Sequence, residues 1–217
     1  MQLAIFDLDN TLIGGDSDYL WGEYLCEHGL IDSAGHRDKH RQYYDDYHAG
    51  RLDIQDFLRF QLKPLADNTL VDLERWRNDY FRTKIEPIML PKAQQLVDSH
   101  RRRGHQLLII TATNRFITAP IAEAMGIDHL IATEPAFNNG RFNGEVTGMP
   151  SYREGKIQRL REWLEQRGEN ACEQWFYSDS HNDLPLLRDV DHAVAVDPDE
   201  QLRSTAEAND WPIISLR

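Results

Sequence analysis

Two carboxylates near the start of the chain are spaced to act together on one substrate. Asp7 and Asp9 lie two residues apart in the segment Asp7-Leu8-Asp9-Asn10-Thr11. Alternate residues at the end of a strand point to the same side, so these carboxylates should lie roughly 7 Å apart along the backbone. Such a pair divides labour between a nucleophile and a general acid/base. The alternative interpretation is an exposed loop that happens to carry two acids.

Two further side chains, Thr111 and Lys156, are suited to holding an anion. Thr111 follows an apolar run, and a hydroxyl beside backbone amides at a strand-to-helix turn suits a phosphate oxygen. Threonine is also common at strand ends and helix caps without any ligand. Lys156 lies near the start of a predicted helix, where most lysines are merely solvated. A phosphate-transfer site nevertheless needs a cation to offset the charge of substrate and nucleophile.

A second acidic segment, Asp179-Ser180-His181-Asn182-Asp183, follows the apolar residues 175–177. Carboxylates at a strand end suit Mg²⁺, which takes few protein ligands and keeps several waters. The alternative is a turn followed by a helix cap at Asp183. We expect His181 to lie on the surface, with contact to a substrate as the alternative, and the other histidines show no zinc spacing.

The apolar runs predict where these residues meet. Continuous apolar runs are typical of strands buried on both faces, and here they cover residues 3–6, 106–110, 175–177 and 193–196. Helical stretches alternate with them at 91–103, 117–125 and 154–166. This alternation predicts an α/β fold, with a Rossmann-like parallel sheet core flanked by helices. Ligands bind outside the carboxyl ends of such strands, so Asp7, Thr111 and Asp179 should share one cleft.

Residues 16–84 interrupt the alternation and predict an inserted helical domain. The segment is rich in aromatic and charged residues, with Leu20, Trp21, Tyr24 and Leu25 at helical spacing. Most of its aromatic rings should pack within the insertion, leaving one or two to face a ligand. Residues 1–15 and 85–217 are then the core domain. Glycines between residues 137 and 149 predict a hairpin at the sheet edge, to which we assign no chemistry.

Composition restricts the partners. The chain has 36 Asp and Glu against 24 Lys and Arg, a formal net charge of -12, so its average surface repels nucleic acid. No apolar run is long enough for a membrane span, and the N-terminus lacks the features of a signal peptide. Two cysteines, Cys26 and Cys172, cannot form a disulfide framework and should be reduced in a cytosol. We expect a cytoplasmic monomer that acts on a small charged molecule.

Taken together and in order, the four groups resemble the motifs of the haloacid dehalogenase superfamily of phosphatases. The match consists of Asp7-Leu8-Asp9-Asn10-Thr11, Thr111 after a second strand, Lys156 and the acidic segment 179–183, and it covers nearly the whole chain. The insertion resembles the helical cap of the phosphoserine phosphatase branch. Dehalogenases and P-type pumps of this superfamily lack an acid at the place of Asp9, so the resemblance favours phosphate ester hydrolysis.

The resemblance implies a role for each matching residue. Asp7 would be the nucleophile, and Asp9 the acid that protonates the leaving alcohol and then the base that activates water. Mg²⁺ would be bound by Asp7, the backbone carbonyl of Asp9, and Asp179, with Asp183 supporting the metal shell. The phosphoryl group would be held by Thr111, Lys156 and Asn182.

Substrate choice would depend on the cap. Phosphoserine phosphatases bind the substrate amine with an acid nine residues after the nucleophile, and Asp16 stands at that place. Their cap arginine, which holds the substrate carboxylate, aligns with Gln61, and Arg59 is a nearby substitute. An amine partner without a carboxylate partner indicates a phosphorylated amino alcohol.

The chain also resembles a bacterial group in which histidinol-phosphate phosphatase activity is known. Asp16, Asp18 and Trp21 would then meet the amine and imidazole of histidinol phosphate, although Asp16 and Asp18 also suit helix N-capping. Phosphoserine or another amino-alcohol phosphate is the alternative substrate. Phosphotransfer to an acceptor other than water, and a catalytically idle regulatory protein that binds phosphate and Mg²⁺, are the alternatives to hydrolysis.

Overall fold

The computed structural model describes residues 1–168 and 173–217. Within these ranges the strands are β1 (Gln2–Phe6), β2 (Gln106–Asn114), β3 (His129–Asn138), β4 (Arg141–Thr147), β5 (Glu173–Ser178), β6 (His192–Val196) and β7 (Ile213–Ile214). They form one sheet in the spatial order β4-β3-β2-β1-β5-β6-β7. Every neighbouring pair is parallel except β3 and β4, which are antiparallel. The predicted α/β fold with a parallel sheet is confirmed.

The central strand β1 is buried on both faces, which accounts for its continuous apolar sequence. Leu3 and Ile5 point into one apolar cluster, and Ala4 and Phe6 point into the other. Helices α5 (Pro91–Arg102) and α6 (Arg115–Ala124) contribute to the second of these clusters. Helices α7 (Glu154–Arg167), α8 (Leu184–Leu187) and α9 (Glu200–Ala208) contribute to the first. The sheet therefore lies between two layers of helices, as in doubly wound folds.

A helical insertion separates β1 from α5. It consists of α1 (Ser17–Glu27), α2 (Ser33–His48), α3 (Ile54–Asp67) and α4 (Leu70–Tyr80), followed by a π-helical turn and a 3₁₀ turn over residues 81–88. Asp16, Asp32, Asp53 and Thr69 cap these helices by accepting backbone N–H groups. One apolar cluster runs without a break from these helices to the sheet. The assignment of residues 16–84 to a separate domain therefore stays a prediction.

The expected hairpin is present at the sheet edge. It joins β3 to β4 through Asn139 and Gly140, both of which have positive φ. Its first strand is longer than the glycine pattern indicated, because β3 also pairs in parallel with β2. Strand β4 packs against α3, where a Cβ on Gly144 would lie 3.4 Å from the Ala66 methyl carbon. The hairpin thus supports the helical insertion.

Three other features bear on the sequence predictions. Strand β2 does not end at Thr111 but continues to Asn114, with an irregularity in its pairing to β3 between Ile110 and Asn114. Among the described residues no helix is long and apolar enough to cross a membrane. Cys26 is buried and reduced, whereas Cys172 lies outside the described residues.

A buried histidine pair connects α5 to the sheet. The Nδ1 atoms of His100 and His105 lie 2.8 Å apart, and Nε2 of His100 lies 2.8 Å from the hydroxyl of Tyr177. His100 is only 1% exposed. Burial, and then the charges of His105 and Arg103, lower the pKa of His100 to about 4, and burial also lowers the pKa of His105. Both rings are therefore neutral in the folded protein at neutral pH.

This pair should make stability depend on pH. A group whose folded pKa is depressed below its unfolded value of about 6.5 stabilises the fold fully above that value, and the stability is lost as pH falls towards 4. The free energy of unfolding of the wild type should fall between about pH 7.5 and pH 5. In His100→Gln we expect this fall to be smaller by about 1–2 kcal/mol. Urea denaturation at the two pH values measures this. His28→Gln, on an exposed histidine, is the control; an unchanged pH dependence in His100→Gln would contradict the prediction.

Candidate active site

The central crevice of the sheet collects the residues that the sequence singled out. Asp7 directly follows β1, and Asp179 directly follows β5, which pairs with β1 on one side. Thr111 lies beyond the last residue of β2 that pairs with β1 on the other side. The carboxyl ends of these three strands therefore converge where the chain order reverses about β1, which is where ligands bind in such sheets.

Lys156 is the cation at the centre of this crevice. Its Nζ donates to Oδ1 of Asp7 at 2.7 Å and to Oδ2 of Asp183 at 2.9 Å, it lies 2.7 Å from Oδ1 of Asp183, and the residue is 3% exposed. The hydroxyl of Ser178 also donates to Oδ2 of Asp183, at 2.7 Å. Burial raises the pKa of Asp7 to about 7, and the Lys156 charge opposes the rise. Asp183 thus anchors the ammonium, and the ammonium holds Asp7 at the end of β1.

The backbone before α7 holds Lys156 in place. A Cβ on Gly155 would lie 2.3 Å from the carbonyl oxygen of Pro150, so only glycine fits in this first helical turn. Arg153, at φ 50°, has a backbone conformation that a non-glycine residue rarely adopts. Its guanidinium donates to the side-chain oxygen of Asn182 at 3.0 Å and to the carbonyl oxygen of Gly50. These contacts fix the turn and connect it to the helical insertion.

Asp9 is held by two donors from different elements. The backbone N–H of Ser17, at the start of α1, donates to Oδ1 at 2.6 Å, and the hydroxyl of Thr113 donates to Oδ2 at 2.9 Å. Burial, and then the charge of Asp16, raise the pKa of Asp9 to about 6. A carboxyl with a pKa near neutrality can both give and take a proton at physiological pH. Its position therefore suits an acid/base role.

The carboxylates around Lys156 suit a divalent cation. The Thr11 hydroxyl donates to Oδ1 of Asp179 at 3.1 Å, and burial followed by the charges of Asp7 and Asp183 raises the pKa of Asp179 well above its usual range. A cation beside Asp7 and Asp179 would relieve this repulsion.

The described residues contain no group of three acidic, histidine or cysteine side chains already arranged around one metal position. Asp183 is engaged by Lys156 and Ser178, and both carboxylate oxygens of Asp9 are engaged, by Ser17 and Thr113. Asp7 and Asp179 each accept through Oδ1, from Lys156 and from Thr11, so the second oxygen of each is the one offered for direct coordination, together with backbone oxygens such as that of Asp9. Mg²⁺ commonly takes only one or two carboxylates and keeps several waters, so this set fits it.

The structure gives the expected phosphate-binding residues different surroundings. Thr111 lines the cleft, and its hydroxyl accepts from the backbone N–H of Thr113 at 3.2 Å. It precedes the first residue of α6 by four positions, so it does not lie at the helix N-terminus that the sequence suggested. Asn182 is buried, and its amide donates to the carbonyl oxygen of Tyr47 at 3.0 Å and accepts from Arg153. Asn182 therefore joins the core to α2.

A cleft of about 880 Å³, counting its open mouth, lies between the crevice and the helical insertion. Aromatic and acidic side chains make up much of its lining: Tyr19, Tyr43, Tyr44, Tyr47 and Phe57, and Asp7, Asp9, Asp16, Asp18 and Asp179. Within the described ranges no Lys or Arg is among the residues that line it. The cleft is thus aromatic and acidic, a composition that suits a ligand with positive charge and a planar ring.

The predicted substrate-binding residues divide into two pairs. Asp16 and Asp18 line the cleft, and Asp16 also caps α1 by accepting the Tyr19 N–H at 2.8 Å. Trp21 does not line it: the ring is 1% exposed and packs between Tyr24, Tyr80 and Phe116. Arg59 does not line it either, because it lies on the exposed face of α3, where its Nε donates to the Gln55 carbonyl oxygen at 3.2 Å.

Several residues of the site were not predicted. The hydroxyls of Thr113 and Ser178 bind Asp9 and Asp183, but isolated hydroxyl residues carry no signal of their own in a sequence. Ser17 binds Asp9 through its backbone N–H, which no residue type reveals, and Thr11 belongs to the first motif but was given no role there, although it binds Asp179. The expectation that His181 lies on the surface is wrong. It lines the cleft, and its Nδ1 lies 2.7 Å from Asp199.

Comparisons with known proteins show the family to which the chain belongs. A sequence model of haloacid dehalogenase-like hydrolases matches residues 4–188. The chain is 43% identical over 220 residues to a protein of Neisseria meningitidis serogroup C (strain 8013) named histidinol-phosphatase, covering 100% of this chain and 99% of that protein. It is 40% identical to the crystal structure of a Bordetella pertussis protein of unknown function, with a TM-score of 0.94 and coverage of 100% and 99%.

A structure described as a phospho-aspartyl intermediate analogue of phosphoserine phosphatase shares the fold. Its TM-score is 0.72 at 18% identity, with coverage of 100% of this chain and 93% of that one. The family match spans most of the sequence, and the Neisseria relative aligns along its whole length. The chain therefore belongs to the haloacid dehalogenase-like hydrolase family.

Proposed function

We propose that this family member, a phosphoric monoester hydrolase, is a Mg²⁺-dependent phosphatase of amino-alcohol phosphates, with histidinol phosphate as the best candidate substrate. The observation that carries the proposal is the cleft above Asp7 and Asp9. Its lining includes Asp16, Asp18 and several aromatic rings, and none of its described lining residues is a cation that would bind a substrate carboxylate. In this proposal residues 16–84 form the cap that contacts the leaving group, and the enzyme is a cytoplasmic monomer.

The proposed reaction has two steps. The Asp7 carboxylate attacks phosphorus, the bond between phosphorus and the ester oxygen breaks, and Asp9 gives its proton to the departing alkoxide. Asp9 then removes a proton from water, whose oxygen attacks the aspartyl phosphate and releases inorganic phosphate with Asp7 regenerated. Asp9 begins each cycle protonated and returns to that state. Its pKa of about 6 suits both directions of transfer.

Lys156 supplies a fixed positive charge during both steps. Its contact with Asp7 places it beside the oxygens of an attacking carboxylate, where a preorganised cation stabilises developing negative charge. Bound Mg²⁺ would add Lewis-acid stabilisation of the phosphoryl oxygens, held by Asp7, Asp179 and the carbonyl of Asp9. Thr111 would bind a phosphoryl oxygen from the floor of the cleft.

The lack of a carboxylate partner is a property of the cap. Gln61 is 3% exposed, and its amide donates to Nε2 of His40 at 3.2 Å and to the backbone oxygen of Asp18 at 3.5 Å. It is therefore engaged inside the insertion and brings no charge to the cleft. The Neisseria relative, whose name is histidinol-phosphatase, supports a substrate with an amine and no carboxylate.

We expect a higher kcat/KM for histidinol phosphate than for phosphoserine, by at least about tenfold. The reason is that burying a carboxylate without a partner costs several kcal/mol, of which each ~1.4 kcal/mol is a factor of ten. Asp16→Asn should lower kcat/KM by about 10- to 100-fold for amine-bearing substrates and much less for p-nitrophenyl phosphate. Asparagine caps a helix about as well as aspartate, so this variant separates substrate binding from helix capping. Steady-state kinetics on a panel of phosphate monoesters, with product analysis, measure both effects.

Asp32→Asn is the matched control, because Asp32 caps α2 from an exposed position. Phosphoserine proving the better substrate would contradict the assignment of an amino alcohol but not hydrolysis itself. Phosphoryl transfer to an acceptor other than water would appear as a phosphorylated product instead of inorganic phosphate. No turnover of any monoester would favour the idle regulatory protein.

A further inference from the structure

Asp18 is a carboxylate whose position the proposed reaction does not explain. It lines the cleft in the first turn of α1 and is 6% exposed. Its Oδ1 is buried without a hydrogen-bond donor among the described residues. Burial, followed by the charges of Asp16 and Asp9, raises its pKa well above the usual range, and a hydrogen bond from the Gln61 side chain to the carboxyl opposes the rise only in part. A buried oxygen without a donor is costly, so its retention needs a reason.

Helix capping is not that reason. Asp16 caps α1, accepting the backbone N–H of Tyr19 at 2.8 Å. An acid in a first helical turn interacts favourably with the helix dipole, but that gain is obtained equally by an exposed side chain, without the cost of burial. Asp18 is therefore placed for something outside the helix.

The surroundings of Asp18 suit a flat ring that bears N–H groups. Tyr19 and His40 stack with ring centroids 4.9 Å apart, Tyr19 meets Tyr44 edge-on at 5.5 Å, and all three line the cleft with Asp18. A ring that enters beside them gains aromatic contact, and its N–H gains an acceptor. This side of the cleft, the ring wall, thus offers the aromatic rings of Tyr19, His40 and Tyr44 for stacking and the carboxylate of Asp18 as an acceptor.

His40 is fixed as a neutral part of this wall. The Gln61 amide donates to the backbone oxygen of Asp18 and to Nε2 of His40, so Nε2 accepts and the ring proton is on Nδ1. Burial lowers the pKa of His40 to about 4. A Cβ on Gly22 would lie 2.6 Å from Nδ1, so the glycine allows α1 to approach this ring closely. His40 therefore does not neutralise Asp18 at physiological pH.

We propose that Asp18 is a specificity-determining residue that accepts the N–H of a cationic or neutral nitrogen heterocycle in the leaving group, while Asp16 takes the amine. This rests on the proposed function, and it divides recognition between two carboxylates. Asp16 and Asp18 are two residues apart, roughly 5–6 Å between Cα atoms by helix geometry, within the reach of one small molecule. The substrate class is an amino-alcohol phosphate that carries an imidazole-like ring.

The first test compares three substrates in Asp18→Asn and Asp16→Asn. These are histidinol phosphate with amine and ring, 2-aminoethyl phosphate with the amine alone, and p-nitrophenyl phosphate with neither. Asp18→Asn should lower kcat/KM for histidinol phosphate by about 10- to 100-fold more than for 2-aminoethyl phosphate. Asp16→Asn should lower both amine substrates together. Asp38→Asn, on the exposed side of α2, is the control, and it should leave kcat/KM unchanged for all three substrates.

A binding measurement separates this proposal from the proposed function. Calorimetric titration of the wild type with histidinol and with ethanolamine needs no turnover. Asp18→Asn should raise the Kd of histidinol by at least about tenfold compared with the wild type. The Kd of ethanolamine should be nearly the same in the variant and the wild type. An equal loss for all substrates, an unchanged Kd for histidinol, or no measurable histidinol binding by the wild type would overturn the role of Asp18. If histidinol binds through Asp18 but its phosphate is not hydrolysed, the proposed function fails and the ring site stands.

Discussion

Asp7→Asn should lower kcat/KM by at least about 10³-fold for every phosphate monoester while the protein stays folded. The amide cannot form the acyl phosphate, and the polar contacts that remain at the site give only residual catalysis. Stability should change little. Burial raises the pKa of Asp7 to about 7, which means that the ionised carboxylate is costly in this position. Lys156 retains Asp183 as its partner when Asp7 is replaced. Steady-state kinetics and circular dichroism measure the two outcomes.

Asp128→Asn, on an exposed aspartate, is the control for expression and handling. The wild-type enzyme, quenched in acid during turnover, should carry one phosphoryl group on the peptide that contains Asp7. Persistent activity in Asp7→Asn, in protein shown by mass spectrometry not to have deamidated, would rule out the covalent mechanism. It would leave direct attack by water on the substrate, with Asp9 as base.

Much of the fold follows from the sequence because its strands are buried on both faces. The runs that became β1, β5 and β6 are continuously apolar, and each stops at the polar residues that follow the strand. Strand β3 was harder to predict. It pairs in parallel with β2 and antiparallel with β4. Only the second pairing leaves a local signal, the turn at Gly140, whereas the first depends on contacts distant in sequence.

The site was predicted unevenly for a similar reason. Asp7, Asp9, Lys156 and Asp179 belong to motifs whose order along the chain is itself a signal, and the structure brings them together. Helical periodicity in the insertion indicates which residues share a face, but not which face meets the cleft. Trp21 consequently packs in the core rather than in the cleft, whereas Asp18, at the start of the same helix, lines it.

The acidic crevice also shows why function and stability conflict here. Asp7 and Asp183 share one ammonium, Lys156, while the charges of both act on Asp179, and a phosphate ester adds further negative charge. This cluster of carboxylates lowers the stability of the free protein, and it is useful only when a cation and a substrate are bound. Active sites are commonly sites of this kind of strain, which is relieved by the ligands they bind.

Metal removal should therefore abolish activity, by at least about 10³-fold, and Mg²⁺ should restore it. A second readout does not depend on turnover. Mg²⁺ that binds only the folded protein stabilises it by about 2.7 kcal/mol at a concentration of 100 Kd, so the Tm should rise by several degrees. Asp179→Asn should remove this rise, because it removes a direct ligand. The same variant should be at least as stable as the wild type without metal, since one of the mutually repelling carboxylates is gone.

Asp189→Asn is the matched control, because Asp189 pairs with Arg161 on the surface and should leave both the Tm rise and the activity unchanged. Full activity in metal-stripped buffer would contradict the site, and so would a Tm rise that survives in Asp179→Asn. If Mg²⁺ still raises the Tm of Asp179→Asn but the variant is inactive, Mg²⁺ binds elsewhere and Asp179 acts on the substrate itself. Loss of the rise with a lowered metal-free Tm would mean instead that Asp179 supports the fold through its contact with Thr11.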